Sequence, residues 1–229
     1  QANEKTTYHR TNGCSEISVL LSGRGTIFIG QQIFEVHAGH CIHIPLGIAH
    51  QFHNTSDQPA EIVGFYIGAG ELTDAAFEES NTPQMATFDN PPVVHWDDVI
   101  PENMNKKEGW HINDFRLPFG LHNGCTTTLF RALFFPGAVH KKHAHENCEE
   151  IYYLISGHGL AGAGDDRVEI SAGQFHYIPA GVEHWLYNLS QTDPIHVIGI
   201  YIGSGSVSDT GYVFLGDVTS DDIEARTNL

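Results

Sequence analysis

Histidine is unusually frequent in this chain, with 16 among 229 residues, and several of the histidines follow a chemically suggestive spacing. His143 and His145 are separated by one residue, so on a β-strand both side chains project from the same face. Glu150 follows after a short turn, and His184 lies on a later strand-like segment behind a Pro-x-Gly turn. Imidazole nitrogens and a carboxylate oxygen suit Zn, Mn, Fe, Co or Ni. The pattern therefore predicts one metal ion held by His143, His145, Glu150 and His184.

Four protein ligands do not saturate a metal that prefers about six. Two positions remain for substrate, water or dioxygen, so the pattern favours catalysis over a purely structural ion. A nucleophile elbow and a phosphate-binding glycine-rich motif are both absent from the sequence. Nucleophilic triads and nucleotide binding are excluded on that ground.

The elements that must position these residues are predicted to be β-strands. Short apolar segments with alternating polarity are separated by turn residues, and the chain contains 24 Gly and 10 Pro. The pattern also repeats: a shift of 134 positions aligns residues 9–54 with residues 143–188 without a gap, with 17 identical residues in 46 pairs. The sequence therefore contains an internal duplication, which predicts two similar β-sandwiches or barrels.

The second copy contains two spaced motifs, Gly-x5-His-x-His-x4-Glu-x6-Gly and Gly-x5-Pro-x-Gly-x2-His-x3-Asn. Their fixed positions are Gly137, His143, His145, Glu150 and Gly157, then Gly173, Pro179, Gly181, His184 and Asn188. Both motifs match the signature of the cupin superfamily, and with the duplication the chain resembles a bicupin. The resemblance implies an all-β fold of two tandem jelly-roll barrels, with His143, His145, Glu150 and His184 as the metal ligands.

The predicted organisation has four parts. Residues 73–113 are acidic and weakly alternating, so we interpret them as a connector with one short helix near residues 73–79. The predicted boundaries are 1–72 for the N-terminal cupin, 73–113 for the connector, 114–205 for the C-terminal cupin and 206–229 for a tail.

The first copy departs from the first motif. His9, Glu16 and His50 match His143, Glu150 and His184, but Thr11 stands where the second copy has His145. The three matching residues form a second, incomplete metal set, and we expect this copy to serve mainly in packing. Its start is also shorter than that of the second copy, so we expect the first barrel to lack strands that the second has. A preceding segment or a subunit would then cover its open edge.

Charge and composition exclude other functions. Eleven Lys and Arg against 28 Asp and Glu give a formal charge of −17, which excludes nucleic acid and anionic membranes as partners. No apolar stretch approaches the roughly 20 residues of a membrane span. The four cysteines show no C-x-x-C pair, so we expect free thiols. A signal-like segment is also absent, and we expect a cytoplasmic protein.

The resulting hypothesis is a metal-dependent enzyme acting on a small organic substrate that coordinates the metal, most consistent with a dioxygenase-type oxidoreductase. The expected cofactor is one divalent transition metal per chain in the C-terminal cupin, with iron or manganese favoured and zinc, nickel and cobalt as alternatives. In this hypothesis Glu150 is a catalytic ligand, Tyr152 is a proton donor and Arg131 is an anchor for an anionic substrate. Two alternatives remain open: isomerase, lyase or decarboxylase chemistry, and a non-catalytic bicupin for binding or storage. The resemblance also implies a homodimer.

Overall fold

The computed structural model describes residues 1–80, 82–104, 112 and 114–224. The chain forms two compact units, Gln1–Val99 and Ile100–Leu229. Nearly all regular structure in the described part is antiparallel β, arranged in four sheets, so the predicted all-β fold is confirmed. The cores of the two units are separate clusters of Leu, Ile, Val and Phe side chains.

Two facing sheets build the N-terminal unit. The first has the order β4-β3-β6-β1-β8 and the second the order β7-β2-β5-β9. The strands are β1 His9–Thr11, β2 Ser15–Ser22, β3 Arg24–Ile29, β4 Gln32–His37, β5 His40–Ile44, β6 His50–Asn54, β7 Glu61–Ile67, β8 Phe77–Glu79 and β9 Val93–His95. Short 3-10 helices lie at Leu72–Ala75 and Trp96–Asp98.

The C-terminal unit repeats this plan with two five-stranded sheets, β15-β14-β17-β12-β19 and β10-β11-β18-β13-β16. The strands are β10 Asp114–Phe119, β11 Thr128–Phe134, β12 Val139–His145, β13 Glu149–Ser156, β14 His158–Ala163, β15 Asp166–Ser171, β16 Phe175–Ile178, β17 His184–Tyr187, β18 Ile195–Ile202 and β19 Tyr212–Gly216. The remaining elements are 3-10 helices at Leu121–Asn123 and Val207–Thr210 and the helix α1 at Ser220–Glu224.

The two units differ at one sheet edge. In the C-terminal unit β11 pairs with β18, and β10 pairs with β11. The strand equivalent to β18 is β7, and among the described residues its only strand partner is β2. Within the described residues, the other edge of β7 is thus without a strand, whereas β11 covers that edge of β18.

The connector and the tail differ from the sequence-based boundaries, because each contributes strands to a barrel. Strand β8 pairs with β1, and β9 pairs with β5, so residues 77–79 and 93–95 belong to the N-terminal unit. Strand β19 pairs with β12 in the C-terminal unit. The helix expected near residues 73–79 is a 3-10 helix at Leu72–Ala75 followed by β8. The strands β8 and β9 are only three residues long, too short to show a clear alternation.

All four cysteines are buried free thiols, as predicted: Cys14, Cys41, Cys125 and Cys148. Burial raises the pKa of Cys125 to about 12 and that of Cys148 to about 11, so both stay protonated and inert at neutral pH. No helix in the described ranges is both long and apolar enough to cross a bilayer.

Candidate metal centre

The four predicted ligands come from both sheets of the C-terminal barrel. His143 and His145 lie on β12, and His184 lies on the neighbouring β17, directly opposite His143 in the strand register. Glu150 lies near the start of β13 in the facing sheet. The alternation of β12 turns both of its histidines toward the barrel interior. The barrel therefore brings together three imidazoles and one carboxylate that are distant in sequence.

The donor atoms of these residues converge. One donor atom each from His143, His145, Glu150 and His184 lie within 4.8 Å of one another, and all four residues are buried. Glu150 Oε2 lies 3.1 Å from His184 Nε2 and 3.2 Å from His145 Nε2. Distances of this size between donors are suited to sharing one ion, since each donor would then lie about 2 Å from it.

The orientation of the imidazoles also fits a metal. His143 Nδ1 donates to the Lys141 carbonyl over 2.7 Å, and His184 Nδ1 donates to the Val182 carbonyl over 2.9 Å. A neutral ring that donates through Nδ1 keeps its lone pair on Nε2. His145 Nε2 is buried beside Glu150 Oε2 but makes no well-directed hydrogen bond. A buried polar atom in this situation is costly, and coordination would relieve that cost.

Electrostatics place Glu150 and His143 in the protonation states that bind a metal. Burial alone would raise the pKa of Glu150, but its interactions with His145 and His184 lower it well below its usual range. Burial, followed by the neighbouring His140 and His184, lowers the pKa of His143. At neutral pH the site therefore presents a carboxylate and a neutral His143, the forms that bind a cation.

Two aromatic side chains that the sequence analysis did not assign to the site pack against the ligands. The His140 ring stacks on the His143 ring with centroids 3.6 Å apart, and the Tyr212 ring stacks on His143 with centroids 5.2 Å apart. A signal for Tyr212 exists in the sequence, because the repeat continues with a shift of 135 positions and places Phe77 on Tyr212. In the N-terminal unit Phe77 stacks on His9 at 4.5 Å in the same way.

The metal site opens into a cavity inside the barrel. Apart from the ligands, the walls are mostly apolar or aromatic side chains: Ile112, Phe115, Phe130, Ala132, Phe134, Trp185, Leu186, Val197 and Tyr201, with His140 and Tyr152 as polar groups. The described lining residues include neither Lys nor Arg. The cavity therefore suits a small, mainly apolar molecule.

Tyr152 lies on the cavity wall, two residues after Glu150 on the same face of β13. Its hydroxyl is 2.6 Å from Nδ1 of His176, which lies opposite Tyr152 in the β13–β16 register. Burial, with a smaller contribution from Glu150, raises the pKa of Tyr152 well above its ordinary value. The phenol is thus protonated at neutral pH. Sequence reasoning missed His176 because strand register, and not spacing, brings it to Tyr152.

Arg131 lies on the opposite face of β11 from the cavity. The cavity-lining residues of that strand are Phe130, Ala132 and Phe134, and alternation turns Arg131 away from them. Its guanidinium forms an ion pair with Asp114 and donates from Nε to His196 Nε2 over 2.9 Å. This geometry does not support the expected anion-anchor role.

The incomplete set in the N-terminal unit is also assembled. Donor atoms of His9, Glu16 and His50 lie within 4.8 Å of one another, with His50 Nε2 3.4 Å from Glu16 Oε1. His9 Nδ1 donates to the Thr7 carbonyl over 2.8 Å, just as His143 and His184 each donate to the carbonyl two residues earlier. The Thr11 hydroxyl lies 3.1 Å from Glu16 Oε1, where the second barrel has an imidazole.

Fold and site together define a protein of two tandem β-barrels with a buried three-histidine, one-glutamate group in the second barrel. The Cupin domain family matches residues 1–66 and 130–201, more than half of the chain. The chain therefore belongs to the cupin family and carries two cupin domains, which confirms the predicted resemblance.

Solved structures share this two-barrel fold. An oxalate decarboxylase of Bacillus subtilis, described with Mn(II) centres, is similar with a TM-score of 0.71 and 16% identity, over 93% of this chain and 69% of that one. AerE from Microcystis aeruginosa is similar with a TM-score of 0.67 and 18% identity, over 88% of this chain and 83% of that one. By sequence, the chain is also similar to an uncharacterized protein of Methanocaldococcus jannaschii, with 28% identity over 92 residues, 40% of this chain and 72% of that protein.

Proposed function

We propose that the C-terminal cupin is a metal-dependent oxidoreductase of the dioxygenase type, acting on a small and mainly apolar substrate that chelates the metal through oxygen. The observation that carries this proposal is the buried group His143, His145, Glu150 and His184 at the end of an apolar cavity. A bound ion would supply Lewis acidity and, if redox active, a means of activating dioxygen. Iron or manganese are the metals favoured by this proposal.

The cavity wall limits the charge of the substrate. A dianion such as oxalate carries two negative charges, and beyond the ion the described lining residues supply no Lys or Arg to balance the second. Arg131 is held on the outer face by Asp114 and His196. A substrate with one ionised oxygen and an apolar body fits better, for example a catechol, a flavonol, a diketone or an α-hydroxyketone.

Tyr152 and His176 provide a proton donor beside the metal. The Tyr152 hydroxyl can donate to an oxygen or carbon of the substrate, and His176, bonded to that hydroxyl, holds it in place and can return a proton from the outer side of the sheet. His176 is only partly buried, so it connects the closed cavity with solvent. This pair also supports a second candidate, proton-transfer chemistry of an isomerase, lyase or decarboxylase.

Oxygen uptake separates these candidates. The protein is stripped with a chelator, loaded separately with Fe(II), Mn(II), Zn(II) or Ni(II), and screened with the four substrate classes in an oxygen electrode. We expect uptake with Fe(II) or Mn(II) and none in a His143→Ala variant. Uptake that is unchanged in this variant would contradict the proposal.

Turnover without oxygen uptake would instead support the second candidate. It would be recognised under anaerobic conditions by incorporation of deuterium from D2O into the product, which NMR detects. Ligand binding with every metal but without any turnover would identify a non-catalytic binding bicupin and would overturn both enzymatic candidates.

A further inference from the structure

Three histidines gather at one end of the N-terminal barrel, away from the incomplete set on β1, β2 and β6. His37 ends β4, His40 begins β5 and His95 ends β9. Their ring centroids lie 4.4 Å apart for His37 and His40, and 5.0 Å for each of these with His95. One nitrogen of each ring lies within 4.8 Å of the others.

The local fold forces this approach. His40 and His95 are direct partners in the β5–β9 register, and a tight turn brings His37 back onto His40. Gly39, in the left-handed region at φ +99°, forms that turn. A Cβ at position 39 would lie 2.2 Å from His95 Nε2, so the His95 ring rests directly on the glycine. The three imidazoles are thus held together by backbone geometry.

Hydrogen bonds orient the rings. His37 Nδ1 donates to the Ala38 carbonyl over 3.1 Å, which leaves the lone pair on Nε2. His40 Nδ1 lies 3.0 Å from the His37 carbonyl oxygen and 3.1 Å from the His37 amide nitrogen, and it donates to the first in one tautomer or accepts from the second in the other. His95 accepts at Nδ1 from the Asp97 amide over 3.2 Å and donates from Nε2 to the Ala38 carbonyl over 3.1 Å. Coordination by His95 would replace one of these two bonds.

The surroundings favour a cation over protonated rings. Three imidazolium groups at these distances would repel one another, and burial together with His37 and His95 lowers the pKa of His40. The Asp97 carboxylate lies 3.9 Å from His95 Nδ1, and the charge of Asp98 also acts on His40. Neutral imidazoles beside carboxylates are a favourable environment for a divalent ion.

We propose that His37, His40 and His95 form a separate site for a divalent transition metal of the zinc, nickel or cobalt class. Three imidazoles match the preference of these ions for nitrogen donors, and the half-exposed position leaves room for water as a further ligand. The ion would tie the turn between β4 and β5 to the end of β9. This site is independent of the proposed function, because none of its residues belongs to the C-terminal barrel.

Metal stoichiometry of the full chain tests this site. The protein is equilibrated by dialysis against micromolar Zn2+ at about pH 7.5, where neutral imidazoles bind metal, and bound zinc is counted by plasma mass spectrometry. We expect His37→Ala and His95→Ala each to lose one equivalent relative to the parent, and the rise in melting temperature on zinc addition to be smaller by about 5 °C in both variants. His53→Ala, a histidine of the same unit outside the cluster, is the matched control and should keep all zinc. His9→Ala should keep this equivalent as well.

A second measurement does not depend on the variants folding. In the parent labelled with 15N-histidine, Zn2+ should shift the ring signals of His37, His40 and His95 together, and Co2+ should broaden them. Ring signals that respond to pH but not to Zn2+ or Co2+ would show a merely hydrogen-bonded cluster and overturn the proposal. Equal zinc content in the parent and in a folded His95→Ala variant would overturn it too.

Discussion

At the scale of single residues, the two barrels show how one ligand changes a site. Thr11 in the first barrel and His145 in the second occupy matching positions on matching strands. The threonine hydroxyl lies 3.0 Å from the Cys14 carbonyl and 3.1 Å from Glu16, so it contacts the carboxylate that a metal would otherwise engage. An alcohol oxygen is a poorer ligand than an imidazole for divalent iron, cobalt, nickel or zinc.

We therefore predict that the metal content divides unequally between the barrels. Replacing His143 with Ala removes a buried donor and should empty the second site, while replacing His9 with Ala should leave the total of bound Mn(II) or Fe(II) nearly unchanged. Plasma mass spectrometry after dialysis measures both. A content halved by the His9 variant would show that the first barrel also binds.

The Tyr152 hydroxyl gives a second prediction at this scale. Tyr152→Phe keeps the ring and the metal ligands but removes the proton donor, so kcat should fall about 100-fold while metal content stays the same. Tyr177→Phe is the matched control, because Tyr177 lies on the neighbouring strand with its hydroxyl 2.6 Å from the carboxylate of Glu149. Steady-state kinetics on the substrate found in the oxygen-uptake screen compare the two variants. Equal rates in both would remove Tyr152 from the mechanism.

At the scale of elements, the sheet edge explains a difference between two equivalent glycines. Gly199 on β18 and Gly64 on β7 correspond in the duplication. A Cβ at Gly199 would lie 2.3 Å from Phe130 on β11 and 2.8 Å from the Ile151 carbonyl. At Gly64 the only nearby atom in the described structure is Ser18 Cβ at 3.8 Å. The Phe130 ring on β11 thus fills the space at Gly199 that is open at Gly64.

Gly199→Ala should therefore destabilise the protein by about 2 kcal/mol through overpacking, whereas Gly64→Ala should change stability by less than about 1 kcal/mol. Urea unfolding followed by fluorescence measures both variants under identical conditions. Comparable losses in the two would mean that a strand covers Gly64 in solution.

Asp222 links helix α1 to two strands of the C-terminal unit. Its carboxylate lies 3.1 Å from Lys142 Nζ and 3.3 Å from Arg167 Nη2, and it accepts two hydrogen bonds from Thr219. Burial alone would raise the pKa of Asp222, but the Thr219 bonds and Lys142 lower it to about 2. Because the folded pKa lies below the unfolded value, the stabilisation is complete above about pH 4 and is lost as the pH falls toward about 2.

We expect Asp222→Asn to lower stability by about 1 kcal/mol at neutral pH, with the difference from the parent shrinking below about pH 4. Thermal melts at neutral pH and at about pH 4 and 2.5 measure this change. Asp221→Asn alters an exposed neighbour on the same helix and should have almost no effect. A loss that is independent of pH would mean that packing, and not the charge, is responsible.

Much of the fold and of the site could be predicted from the sequence. The repeat and the two motifs are visible because strands need alternating side chains and tight turns need glycine or proline at fixed positions. His143, His145, Glu150 and His184 are recognisable by spacing alone. The roles of His140 and His176 depend on stacking and on strand register, which no spacing reveals. The sequence analysis did not predict strands β8, β9 and β19. Strands β8 and β9 are only three residues long, and β19 is half-buried along most of its length, so none of them shows a clear alternation.

At the scale of the whole molecule, histidine content controls the charge. The formal charge is −17 with neutral histidines, and protonation of all 16 would nearly cancel it, in keeping with a sequence pI of about 5.2. Buried histidines such as His140 and His143, whose pKa is lowered by burial, titrate last. Most of the electrostatic repulsion between molecules is therefore lost between about pH 7 and pH 5.

Solubility should accordingly pass through a sharp minimum near about pH 5 and recover on either side. Light scattering across about pH 4 to 8 at constant ionic strength measures this minimum. A minimum above about pH 6.5, where the histidines are still largely neutral, would contradict the dependence on histidine charge.

The hydroxyl of Thr11 has a consequence for protein engineering. His9, Glu16 and His50 already stand in the arrangement of their counterparts, with the tautomer of His9 set by the Thr7 carbonyl. A Thr11→His exchange would complete the quartet without touching the C-terminal barrel. The duplicated chain thus offers a ready frame in which a second reactive centre can be installed and tuned, while the native quartet serves as its internal reference.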